Sequence, residues 1–171
     1  MKSLAVAAYQ RGDYVTAFRE FKALAEQGDA FAQGCVGAMY ASGQGVPQDY
    51  NEAVRWFRSS ANQGIAFAQG HLGAMYDMGK GVSQDFQEAV RWYCLASEQG
   101  NSGAQANLGI MYLKGTGVIQ DYVLGYMWLN LAAGQGLKDA IVARDTLAEV
   151  MTPAQIEEAQ RLAWEWKPKD K

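Results

Sequence analysis

The chain carries one histidine, His71, and two cysteines, Cys35 and Cys94. Cys35 and His71 are the pair from which a thiolate nucleophile and its base would be built, and that chemistry needs the two side chains within hydrogen-bond reach. Three aspartates, Asp49, Asp85 and Asp121, recur at a spacing of 36 residues and would be the obvious source of carboxylate ligands. Neither set fits its chemistry. Cys35 and His71 also stand 36 residues apart, at equivalent positions of adjacent helical repeats, and packed helices lie roughly 8–10 Å apart or more. Each aspartate precedes the start of a helix, where a carboxylate accepts backbone N–H groups. No HExxH, GxSxG or Walker A motif is present, and two cysteines make neither a zinc cluster nor a disulfide framework. We expect no catalytic residue, no metal and no cofactor, and a structural histidine. The cysteines are compatible with a reducing compartment.

Composition narrows the partners. Aliphatic, aromatic and cysteine residues make up 49 % of the 171 positions, enough for one domain with a sizeable core. Charged residues are 19 % and the net charge is -3, without the basic stripe of a nucleic-acid binder. The only basic cluster, Lys167, Lys169 and Lys171, reads as a frayed tail over residues 167–171. No apolar run approaches the roughly 20 residues that span a bilayer, so membrane insertion is not expected. The start, Met1 to Ala8, is too short in apolar residues for a signal peptide and reads as a first helix. The compartment is not decided by the sequence: as it stands a cytoplasmic place is expected, and a leader trimmed from it would make the protein periplasmic or secreted.

The 36-residue period organises everything else. Residues 29–64, 65–100 and 101–136 align, superposing Gly37, Gly73 and Gly109, then Met39, Met75 and Met111, then Tyr40, Tyr76 and Tyr112. The pairs Gly43/Gly45, Gly79/Gly81 and Gly115/Gly117 coincide, each followed by valine, and so do Trp56, Trp92 and Trp128. Such a period marks a stacked repeat. Each unit reads as two helices. Helix A runs from about Ala30 to Ser42, with Ala32, Val36, Met39 and Tyr40 in one-sided helical rhythm. Gly37 inside it costs about 1 kcal/mol relative to Ala, so a neighbouring helix must cross too closely for a Cβ. The helix stops at Gly43-Gln44-Gly45, and Val46 turns the loop back onto the core. Helix B opens at Asp49 with Glu52 three residues on, as Asp85 and Glu88 do, in the manner of a capping box. It closes at Gly64. The third unit has Leu124 in place of the glutamate and Gly125 in place of Ala53, so its helix B should be capped less well. The tryptophans and tyrosines of the period are expected in the core.

The ends depart from the repeat as solenoid caps do. Residues 4–28 read as a hairpin with a shorter loop. Residues 137–166 give a helix A without the glycine loop, then a helix that Thr152-Pro153-Ala154-Gln155 caps. That last helix would lay Ile156, Ala159, Leu162 and Ala163 over the final repeat, with Trp164 and Trp166 straddling the face.

The run Ala32-Gln33, Gly37, Tyr40, Gly43-x-Gly45-Val46, Asp49, Ala53, Trp56, Gln63-Gly64 resembles the Sel1-like repeat, a relative of the tetratricopeptide repeat with a longer loop. The resemblance covers residues 5–166. It implies an all-α, right-handed α/α superhelical solenoid, and a non-enzymatic adaptor or scaffold that binds a protein or peptide. Tetratricopeptide-like stacks bind along a groove lined by their A helices. Carried over residue by residue, that groove takes Phe31 from the first unit, Phe67, Asp77 and Met78 from the second, and Ile110, Leu113 and Lys114 from the third. Cys35, His71 and Asn107 fall at one equivalent position beside it. Gly34, Ala38, Gly70, Ala74 and Ala106 keep its centre small and uncharged, which removes the carboxylate clamp of chaperone-binding relatives. A secreted, cysteine-rich branch of the family is associated with β-lactam binding, but this chain lacks that branch's paired cysteines. The remaining alternative is weak self-association through the C-terminal helix, suggested by Trp164 and Trp166.

Overall fold

The computed structural model describes residues 2–169. Met1 of the leader-like start, and residues 170 and 171 of the basic tail, lie outside the described residues. Ten helices and no strand are present among those described: α1 Lys2–Gln10, α2 Tyr14–Glu26, α3 Ala30–Ser42, α4 Tyr50–Asn62, α5 Ala66–Met78, α6 Phe86–Glu98, α7 Ser102–Lys114, α8 Tyr122–Gly134, α9 Lys138–Ala148 and α10 Pro153–Glu165. None is long and apolar enough to cross a membrane. They form two compact units, one up to Gln84 and one from Asp85.

In the first unit, α1 to α5 pack each on the next. Its core is small-grained: Ala5, Ala8, Ala17, Ala25 and Ala32 surround Phe21, Val36, Met39 and Trp56. The expected close crossing is present at Gly37, where a Cβ would stand 2.8 Å from the Phe57 ring of α4. In the second unit, α7 and α8 approach more closely still. A Cβ on Gly109 would meet the Gly125 carbonyl at 2.9 Å, and one on Gly125 would meet the Gly109 carbonyl at 3.1 Å. Gly125 in the place of Ala53 is thus the other half of one backbone contact. Helices α8, α9 and α10 close this unit around Leu129, Ala140, Leu147 and Ala159.

The loops repeat as exactingly as the helices. Gly43, Gly79 and Gly115 end their helices at φ of 70°, 64° and 68°, the left-handed conformation glycine takes without strain. Gln48, Gln84 and Gln120 then fold back, each side-chain amide donating to a carbonyl near the end of the A helix (Ala41, Asp77 and Leu113) at 2.7–2.8 Å. A second glutamine series ties hairpin to hairpin. Buried Gln33, Gln69 and Gln105 each donate at 3.2 Å to the Ala25, Ala61 or Ser97 carbonyl at the end of the preceding helix. Gln63 and Gln135 donate in turn to the side-chain oxygens of Gln33 and Gln105. The first series satisfies carbonyls in the last turn of each A helix, and the second adds a bond to carbonyls that already accept from the Gly28, Gly64 and Gly100 N–H.

Three expectations need correction. The Asp49 carboxylate accepts from Asn51 and Glu52 N–H, and Asp85 from Gln87 and Glu88, while Asp121 accepts from Leu124 alone. Glu52 and Glu88, however, do not complete a capping box; they bond Arg55 and Arg91. The Asp49 N–H already donates to the Tyr40 carbonyl at 3.0 Å, so Glu52 has nothing to reach back for. The Arg55 and Arg91 guanidinium groups lie over the indoles of Trp56 and Trp92, 4.7 and 5.6 Å from their centroids. Second, Trp56 and Trp92 are buried but Trp128, Tyr40, Tyr76 and Tyr112 are half-buried. The Tyr76 hydroxyl accepts from Arg58 at 2.9 Å in an exposed position. Trp128 follows Met127 rather than an arginine, and Trp166 covers it, edge-on at 6.1 Å. Third, the tail is not frayed at Lys169. Its N–H donates to the Glu98 carbonyl and its ammonium pairs with the Glu98 carboxylate, both at 2.8 Å.

Candidate partner-binding surface

Helix α3 buries Ala32, Val36 and Met39 and leaves a second stripe, Phe31, Cys35 and Ala38, at spacings of four and three along the helix. Helix α5 carries the same stripe as Phe67, His71, Ala74 and Met78. The two stripes meet in the first unit. Phe31 lies edge-on to Phe67 at 5.7 Å and to Phe21 of α2 at 6.4 Å, and Phe67 is edge-on to His71 at 6.3 Å. His71 stacks nearly parallel on Phe57 at 5.0 Å, with 12° between the planes. The row is locked from below at Gly34, where any Cβ would collide with the rim of the Phe67 ring. Phe67 therefore has a packing role and is half-buried, whereas Phe31 remains 38 % exposed.

A cavity of about 390 Å³ opens beside this row, lined by Val6 and Tyr9 of α1, Phe21 of α2, Phe31, Cys35, Ala38 and Met39 of α3, and Phe67 of α5. None of the described lining residues is charged. Its polar groups are few: the Gln10 amide and the Tyr9 hydroxyl, which donates to Gln44 at 2.9 Å. The contribution of α1 was outside the groove drawn from the full repeats alone. Val6 and Tyr9, three apart on one face of the first helix, were its sequence signal.

The other expected surface residues sit elsewhere. Asp77 and Met78 end α5, Asp77 half-buried and Met78 half exposed at 50 %. In the second unit Asn107, Ile110 and Leu113 are half-buried on α7, and Lys114 is exposed in its last turn. Ile110 and Leu113 pack in part against the Leu129–Leu147 core. Where the first unit has Phe31 and Phe67, this unit has Gly103, and a Cβ there would touch only the Asn101 side chain. The aromatic row is a property of the first unit.

The titratable groups add little reactivity. Partial burial of the His71 ring holds its pKa below the ordinary histidine value; the ring is nevertheless exposed enough for solvent to limit the shift. Burial, helped by Glu98, pushes the Cys94 thiol up, away from the thiolate that reactive cysteines need. Among the described residues no group of three His, Cys, Asp or Glu side chains is placed to hold a metal ion.

Comparison with known proteins agrees with this architecture. The Sel1 repeat matches three times, over residues 32–65, 66–101 and 102–137. No curated protein matches in sequence. Among solved structures, the chain is similar to a protective antigen present in uropathogenic Escherichia coli strains that displays an SLR fold, with a TM-score of 0.82 and 36 % identity over 88 % of this chain. It is also similar to a Sel1 repeat protein from Oxalobacter formigenes, with a TM-score of 0.76 and 31 % identity over 82 % of this chain. The chain spans 32 % and 58 % of the lengths of these two proteins.

Proposed function

We propose, from the premise that this chain belongs to the Sel1 repeat family and has its all-α repeat fold, that it is a non-enzymatic scaffold binding a partner protein or peptide at the aromatic row of α3 and α5. The observation that carries this is Phe31. A large aromatic ring is 38 % exposed, yet is held in a fixed orientation by Phe21 and Phe67 and rims a cavity whose described lining is uncharged. Rigid aromatic anchors beside a pocket are the usual seat of binding energy at protein interfaces, and an exposed apolar patch of this kind marks an interaction site.

A photo-reactive phenylalanine analogue at position 31 tests it. Illumination in a lysate should give one dominant adduct, and Phe31→Asp should abolish capture of that partner while leaving the helical circular dichroism unchanged. Capture undiminished in Phe31→Asp would move the site to another surface. Phe67→Asp is the poorer probe, because losing the ring over Gly34 also loosens the packing of α3 on α5.

A second reading, weak self-association through α10, is favoured by Trp164, which is 90 % exposed. Trp166 does not join it, since its ring is engaged with Trp128. Sedimentation equilibrium decides: a concentration-independent monomer mass removes this reading, and a dimer lost in Trp164→Glu supports it.

A further inference from the structure

We infer that the cavity beside Phe31 is a socket for one uncharged aromatic group, an indole or phenyl ring, offered by the partner. This rests on the partner-binding reading above and specifies its chemistry. The volume of about 390 Å³ lies at the small end of ligand pockets, suited to one ring system rather than to a helix or a folded loop. The described lining residues are all neutral, so a carboxylate or ammonium group would lose its hydration with none of them supplying a counter-charge. An uncharged occupant is the complement of such a wall.

The wall also favours an aromatic over an aliphatic occupant. Phe21, Phe31 and Phe67 are already set edge-to-face in sequence, at 6.4 and 5.7 Å, and a fourth ring continues the same geometry. Met39 and Cys35 place sulfur in the lining, and sulfur contacts at aromatic edges are favourable. The Tyr9 hydroxyl spends its proton on Gln44, which leaves its oxygen as an acceptor for an indole N–H. The socket is preformed: its rings are braced by one another and by the space over Gly34, so little ordering is needed on binding.

Free indole is the probe, followed by the ¹³C-methyl signal of Met39 in the full chain, assigned with Met39→Leu. Indole should shift that signal saturably, with a dissociation constant on the order of 1 mM, as expected for a ligand of so few atoms. Benzoate, similar in size but charged, should bind at least about tenfold more weakly. Ala38→Phe, which fills the cavity, should weaken indole by about tenfold or more; Cys35→Phe serves if that variant does not fold. No saturable shift with indole, equal binding of benzoate, or undiminished binding by a folded cavity-filling variant overturns the socket. The two readings separate cleanly. Partner capture that depends on Phe31 without any indole binding rejects the socket alone. Indole binding beside capture that ignores Phe31 rejects the partner site, and with it the partner as the donor of the ring.

Discussion

Trp166 lies edge-on against Trp128, with the ring centroids 6.1 Å apart and the planes at 73°. In the two preceding repeats the equivalent tryptophan is covered by the arginine before it, Arg55 or Arg91. The last repeat has Met127 there, and the chain returns after α10 to supply a ring instead. Because Trp166 is half-buried, Trp166→Ala should lower the unfolding free energy by about 1–2 kcal/mol, less than for a fully buried tryptophan. Lys169→Ala, which removes an exposed ion pair with Glu98, should cost no more than about 0.5 kcal/mol. Urea denaturation of the two variants checks the ranking; equal losses would mean that the ion pair holds the segment as much as the ring does.

The two glycines of each loop should not be equivalent. Both Gly43 and Gly45 have φ near +70°, which costs a non-glycine residue roughly 1–2 kcal/mol. At Gly43 a Cβ would meet Gln48 at 3.4 Å, an ordinary contact. At Gly45 it would fall on the Tyr14 carbonyl, and 2.9 Å from the Val15 nitrogen, at the start of α2. Gly81 meets Tyr50, and Gly117 meets Phe86, in the same way. Gly43→Ala is therefore expected to cost about 1 kcal/mol and Gly45→Ala at least about twice that. Thermal melts of both variants test the difference, and equal melting points would show that the loop can lift off α2.

These glycines show how far the sequence could be read. The GxG spacing located each loop, and the 36-residue period located each helix, because backbone conformation and one-sided burial leave local signatures. What the second glycine touches is a residue more than 30 positions earlier, and no local pattern encodes that. The same limit hid Gln33, Gln69 and Gln105. Their recurrence was visible, but a polar residue on a buried face looks like an exception until its acceptor on the preceding helix is known. Glu52 fitted a capping box by spacing, yet its partner was decided by the Tyr40 carbonyl taking the N–H it would have needed. The candidate site was legible through Phe31 and Phe67. The wall that α1 adds was not, since Val6 and Tyr9 belong to a hairpin outside the strict repeat.

One repeat carries a correctable weakness. Asp29 and Asn101 cap α3 and α7, each accepting a backbone N–H at 2.8 Å. Ile65 holds the equivalent position before α5, with φ of -73° and ψ of 111°, and makes no side-chain cap. Its backbone already matches Asp29, at -61° and 111°. Ile65→Asp should add a cap worth about 1 kcal/mol, offset in part by the loss of a half-buried side chain, for a net gain of about 0.5 kcal/mol. A lower melting point in the variant would show that the apolar contacts of Ile65 outweigh the missing cap.

His71 should make stability fall on the acid side of neutrality. Burial against Phe57 and Phe67 lowers its pKa from the ordinary value of 6.5, so the folded chain takes up the proton at a lower pH than the unfolded chain does. Between the folded pKa and 6.5 the unfolded state binds more protons, and unfolding becomes easier as the pH drops through that window. Above 6.5 both states are neutral and the contribution vanishes. The ¹H–¹³C signals of the single imidazole should therefore titrate with a midpoint below 6.5. Wild type should also lose more stability than His71→Asn between pH 7 and pH 5, because asparagine removes the titration. A midpoint at 6.5 would mean that the covered ring face leaves the imidazolium fully solvated, and the difference between the two proteins would then be flat with pH; a midpoint above 6.5 would reverse its sign.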